Sequence, residues 1–115
     1  RDVQDELKSK GLPWEKAKSF DGSAVIGKWV SKSNYKDLDQ LSFTLKKNNE
    51  VVQSASSELM LWKIDELISY VSQFFTLKKG DILFSGTPSG VGKVEAGDVL
   101  EGFIESESFF KIGVK

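Results

Sequence analysis

One stretch of this sequence carries a clear helical period, and most of what surrounds it does not. In KIDELISYVSQFF, residues 63–75, the apolar residues Ile64, Leu67, Ile68, Val71 and Phe74 recur at i, i+3, i+4, i+7 and i+10. That spacing places them along one face of a helix and predicts that the stripe is core. The segments after it are of another kind. KKGDILFSG, GDVLEGFIE and SFFKIGVK are short apolar runs, and two of them are entered through a Gly-Asp pair. They read as strands bounded by turns. A helix embedded among β segments predicts an α+β fold with an antiparallel or mixed sheet.

The first half fits that reading. RDVQDELKSKGLP predicts a short helix, with Val3 and Leu7 on one face, acids early, lysines late, and Gly11 and Pro13 as the stop. WEKAKSF adds a possible further turn, with Trp14 and Phe20 read as core. SAVIGKWV is β-like, with Gly27 marking a bulge or a close approach. LSFTLKKNNEVVQSAS is a hairpin pattern. Leu41, Phe43 and Leu45 alternate with polar residues, Asn48 and Asn49 supply the turn, and Val51 and Val52 begin the return. No repeat or linker divides the chain, and its 115 residues suit one domain.

Composition narrows the chemistry. A net charge of −1 gives no basic excess that would argue for nucleic acid, and the apolar runs are too short to span a membrane. No signal peptide is recognised. Cysteine and histidine are both absent. Disulfides, thiolate catalysis and a Ser-His-Asp triad are therefore excluded within this chain, as are the commonest transition-metal ligands. Catalysis here would use carboxylates, lysine, an oxygen-bound metal or groups from elsewhere. The sequence opens at Arg1 rather than methionine, the pattern expected of a chain that begins mid-protein.

The least ordinary stretch is LFSGTPSGVG, residues 83–92. With Gly92 and Lys93 as the G-K pair of a phosphate-binding loop, Thr87 stands where the first glycine belongs and Val94 where a hydroxyl belongs. The dinucleotide pattern also fails, because Glu95 occupies its last glycine position. Two readings remain. The glycines and proline could simply form a tight corner. Alternatively, the loop presents the Thr87 hydroxyl and its backbone amides at the mouth of a sheet.

The order of RDVQ, KGLPW, AKSFD, ELISYVS and GDILFSGTPSGVG resembles the C-terminal half of the fumarylacetoacetate hydrolase family. It is most similar to the small acylpyruvase and oxaloacetate decarboxylase-like members, and the match covers residues 1–115. The resemblance implies a mixed, rolled β structure with few helices. It also implies metal-dependent cleavage, by hydrolysis or decarboxylation, of a C–C bond in a small 2-oxo or β-diketo acid. Mg2+ would be the cofactor, with Mn2+ or Ca2+ as alternatives, and such a cation favours oxygen ligands. Isomerisation of a 2-hydroxymuconate-type diacid is the alternative reaction. Four positions acquire roles by this resemblance. Arg1 and Gln4 match the Arg and Gln of the family's RD-x-Q helix and bind substrate. Lys18 matches a lysine beside the metal and is both catalytic and substrate-binding. Thr87 matches the threonine that binds the substrate's carboxylate.

The family's metal ligands do not match anything here. The resemblance places two glutamates in E-x-E and an aspartate four residues before the arginine of RDVQ, all ahead of Arg1. A His/Glu pair on an N-terminal lid is missing as well. Asp21 and Asp37 have no partners in the motif and are not assigned as ligands. The chain would therefore belong to a longer enzyme, or else be a truncated, non-catalytic module. A homodimer is the expected assembly, with a small 2-oxo acid as the only other partner. The expected compartment is the cytoplasm, or the mitochondrion in a eukaryote. Lys63 stands where the family commonly has a serine N-cap, which predicts a less firmly fixed helix start.

Overall fold

The computed structural model describes residues 2–115. Helices α1 (Asp2–Ser9) and α2 (Glu15–Lys18) come first, then a long irregular segment with two single 3-10 turns. The hairpin β1 (Ser42–Lys47) and β2 (Glu50–Ser56) follows, a third 3-10 turn leads to α3 (Ile64–Ser72), and β3 (Val99–Ile104) and β4 (Glu107–Gly113) close the chain. The four strands form one sheet in the order β2-β1-β3-β4, antiparallel at every pairing. The α+β class is therefore as expected.

Local chemistry explains the elements that formed. Gly11, at φ +63°, lets α1 close in a left-handed residue; its N–H donates to the Lys8 carbonyl and that of Leu12 to the Leu7 carbonyl. The hairpin turns through Asn48 and Asn49, both at positive φ, as a two-residue turn matching strand twist requires. The two Gly-Asp pairs build the same turn twice. Gly80 and Gly97 take positive φ, Asp81 and Asp98 donate their N–H groups to the carbonyls of Lys78 and Glu95, and their carboxylates accept the N–H groups of those two residues. At α3, a lysine at the N-cap has no acceptor to offer. Only the Glu66 carboxylate caps this end, accepting the Lys63 N–H at 2.8 Å.

Two expectations fail in instructive ways. SAVIGKWV and KKGDILFSG are irregular, not strands. A strand needs a partner for its ladder, and neither segment finds one among the described residues. Residues 23–30 make a single backbone hydrogen bond to the sheet, from Lys28 N–H to the Phe109 carbonyl at 3.1 Å, beside an ion pair between the Lys28 ammonium and the Glu107 carboxylate of β4. Nor does the α3 stripe become core. Ile68 is 44% exposed and Phe74 66% exposed, while Ile64, Leu67 and Val71 are only half-buried. Trp14 and Phe20 are exposed as well. No large apolar side chain among the described residues is buried. These apolar faces are patterned for burial, and nothing within the described residues covers them.

Among the described residues, the buried polar side chain is that of Ser57, 5% exposed. Its Oγ accepts the Leu41 N–H at 2.9 Å and donates to the Leu38 carbonyl at 2.7 Å, tying the third 3-10 turn to the entry of β1.

Candidate functional site

Two β-bulges position the site. Between β1 and β2 the register skips Val52, and between β3 and β4 it skips Phe109. An extra residue on one strand leaves its backbone groups outside the ladder. The Phe109 carbonyl meets residues 23–30 and the Val52 carbonyl meets the Thr87 loop, and each contact requires a glycine. A Cβ on Gly27 would stand 2.7 Å from the Phe109 carbonyl oxygen, and one on Gly90, at φ +97°, would overlap that of Val52. Gly27 is thus the close-approach point its sequence context suggested.

The sheet, residues 25–29 and residues 82–88 line an open cavity of about 500 Å³. Its walls are mostly apolar, including Ile26, Phe43, Phe84 and Phe103, with Lys28, Thr44, Gln53 and Thr87 as polar groups in the lining. A second cavity, of about 400 Å³, lies toward α3 and is lined by Ser56, Trp62, Leu67 and again Thr87. Thr87 and the adjoining Gly86 and Pro88 line both cavities. Apolar walls with a few convergent polar groups suit a small organic ligand held by one polar end.

The Thr87 loop is held from β2. Gln53 Nε2 donates to Thr87 Oγ1 at 3.0 Å and to the carbonyls of Pro88 and Ser89, both at 3.2 Å. Gly86, at φ +106°, and Gly90 supply the backbone turns on either side. The loop therefore does form a tight corner, and that corner leaves Thr87 exposed at the cavity mouths.

The other expected site residues among those described lie on the N-terminal helices. Gln4 is half-buried on α1, and Lys18 ends α2 exposed. The two helices pack together, so these side chains ride on adjoining elements. Neither lines either of these two cavities, and neither side chain is hydrogen-bonded or ion-paired among the described residues. The Arg1 assignment lies outside the described residues. Asp37, set aside as a ligand on sequence grounds, acts locally, since its carboxylate accepts the Asp39 N–H at 2.9 Å and caps a 3-10 turn. No three His, Cys, Asp or Glu side chains among the described residues cluster in a way that could hold a metal ion. These residues do not form a cation site by themselves. Two residues escaped the sequence reading, Gln53 and Ser57. Their roles arise from contacts 34 and 16 positions away in the chain, which no local pattern announces.

The chain belongs to the fumarylacetoacetate hydrolase family: the family model described as "Fumarylacetoacetate (FAA) hydrolase C-terminal" matches residues 1–112. Among its relatives is the mitochondrial oxaloacetate tautomerase FAHD1 of Homo sapiens, 46% identical over 101 residues, covering 88% of this chain and 46% of that protein. Another is the oxaloacetate tautomerase YcgM of Escherichia coli K12, 43% identical over 101 residues, covering 87% and 46% of the two chains. A solved structure of fumarylpyruvate hydrolase from Pseudomonas aeruginosa, in complex with Mn2+ and pyruvate, superimposes with a TM-score of 0.91 at 36% identity, covering 99% of this chain and 49% of that one. The chain thus spans about half the length of the relatives it matches. No helix among the described residues is long and apolar enough to cross a membrane.

Proposed function

We propose that this chain supplies the carboxylate-gripping part of an enzyme that acts on the enol or enolate of a small 2-oxo acid. One observation carries the reading: a threonine hydroxyl, on a loop held at Gly90 and at the carbonyls of Pro88 and Ser89, opens onto two largely apolar cavities. Thr87 and neighbouring amides would donate to the substrate's carboxylate. Lys18, exposed and without an ion-pair partner among the described residues, would offset negative charge on the enolate oxygen. Gln4, with Arg1 on the same segment, would orient the acid. A divalent cation, magnesium first and manganese or calcium after it, belongs to this proposal, with ligands outside the described residues.

The preferred reaction is keto–enol interconversion of an oxaloacetate-like acid, supported by the identity to two oxaloacetate tautomerases. It requires moving a proton between C3 and the C2 oxygen while the carboxylate stays fixed, and isomerisation of a hydroxymuconate-type diacid would likewise move a proton between the enol oxygen and a carbon, one farther along the conjugated chain. C–C cleavage of an acylpyruvate or fumarylpyruvate-like acid is the second reading, supported by the likeness to the P. aeruginosa hydrolase. The proposed assembly is a homodimer in the cytoplasm, or in the mitochondrion of a eukaryote.

The test follows the decay of enol-oxaloacetate, and the loss of an acylpyruvate, by ultraviolet absorbance with the full-length protein. Acceleration that chelation abolishes and magnesium restores is expected, with Lys18→Ala lowering kcat/KM on the order of 100-fold. No acceleration of either substrate would overturn the proposal.

A further inference from the structure

We infer that Gln53 is a positioning residue that sets the Thr87 hydroxyl as a hydrogen-bond donor toward an anionic oxygen of the bound acid; this rests on the reading of Thr87 given above. Two carbonyls fix the orientation of the glutamine. Gln53 faces the oxygens of Pro88 and Ser89, which can only accept. The amide end turned toward them must therefore be the nitrogen, since the opposite flip would set Oε1 against both. That nitrogen also lies 3.0 Å from Thr87 Oγ1, the shortest of its three contacts. The amide carries two N–H groups and faces three acceptors, so one N–H is shared; its nitrogen has no lone pair to offer, and the hydroxyl is therefore an acceptor in this contact.

One consequence concerns the hydroxyl proton. Thr87 Oγ1 receives a hydrogen bond from Gln53 and gives none to any described residue. Its proton is left for whatever occupies the cavity mouths. A carboxylate or enolate oxygen is the acceptor that fits, because a bond to a charged acceptor is about twice as strong as a neutral one. A ligand that presented an ammonium group there would compete with Gln53 for the same oxygen. Gln53 thereby makes the loop selective for the acid end of the substrate. Its place in the chain suits this role, because it lies directly after Val52, the extra residue of the β1–β2 bulge, against which Gly90 packs.

The experiment is a double-mutant cycle in the full-length protein, with oxaloacetate as substrate: Gln53→Ala, Thr87→Val and the pair together. Gln53→Ala is expected to raise KM roughly 3- to 10-fold, the worth of one hydrogen bond, with kcat changed less than about 2-fold. Thr87→Val is expected to raise KM at least as much, and adding Gln53→Ala to it should cost little more. Full additivity would mean that Gln53 does not act through Thr87, and would overturn the inference. A defect in Thr87→Val with none in Gln53→Ala would overturn it while leaving the reading of Thr87 intact. Unchanged kinetics in Thr87→Val would end both. Should Gln53→Ala fail to fold, the Gln53 side-chain amide protons in the intact protein supply the answer by NMR. Slow exchange with solvent is expected, and exchange as fast as that of an exposed glutamine would contradict the role.

Discussion

At the scale of single residues, the structure spends its polar groups on fastening loops to the sheet. Asp98 is the densest example. Its carboxylate accepts the Glu95 N–H at 2.8 Å and the Asn48 side-chain amide at 2.8 Å, and pairs with Lys47 at 3.3 Å. Asn48 in turn exchanges backbone and side-chain bonds with Val99. The Glu95 N–H, followed by the Asn48 amide and the Lys47 ammonium, holds the Asp98 carboxyl below its ordinary value. A depressed folded-state pKa gives stability that is present above the unfolded value and is lost as pH falls through the folded one. Acidification below the ordinary aspartate range, about 3.9, should therefore lower the unfolding midpoint. Asp98→Asn should flatten that dependence, as read by denaturation of the full-length protein across pH 2–5. An unchanged slope in the variant would contradict the assignment. Thr87 belongs to the same pattern: Gln53 holds its loop, and that hold determines which way its proton is free to point.

Among the elements, those fixed by neighbours in sequence were legible and those fixed by distant partners were not. The Asn48-Asn49 hairpin, the Gly11 stop of α1 and both Gly-Asp turns follow from side chains a few positions apart. Residues 23–30 and 78–86 have the composition of strands, yet pairing is a long-range condition that composition does not meet. The bulges at Val52 and Phe109 were also invisible, although Gly27 hinted at one of the contacts they create. The thin capping of α3 is legible in Lys63 itself. With lysine at the N-cap, no side-chain oxygen of that residue satisfies the first free N–H groups. Lys63→Ser should add that bond and raise stability by about 1 kcal/mol, measured by chemical denaturation at constant m-value. A midpoint that stays put or falls would show that the Glu66 cap already suffices.

Over the whole molecule, the apolar surface outweighs everything the described residues can cover. The solvent-accessible area is 9297 Å², whereas a compact monomer of this mass exposes roughly 6,300 Å². The radius of gyration is 15.7 Å, against about 13 Å for a compact chain of this length. Both departures agree with a chain that spans 46% of its human relative, and they explain why a well-patterned stripe such as Ile64, Leu67, Ile68 and Val71 is not core here. The site was legible to the same extent. Thr87 could be found from its loop, whereas Gln53 acquires its role only when β2 and that loop meet. The central claim is that the carboxylate of a small 2-oxo acid sits on the Thr87 hydroxyl with the Lys18 ammonium alongside. A crystal structure of the full-length protein grown with pyruvate and magnesium tests it most directly. The expected result is a pyruvate carboxylate oxygen within about 3 Å of Thr87 Oγ1 and Lys18 Nζ turned toward the same ligand. Pyruvate bound away from Thr87, or Lys18 on the opposite face of the molecule, would contradict it.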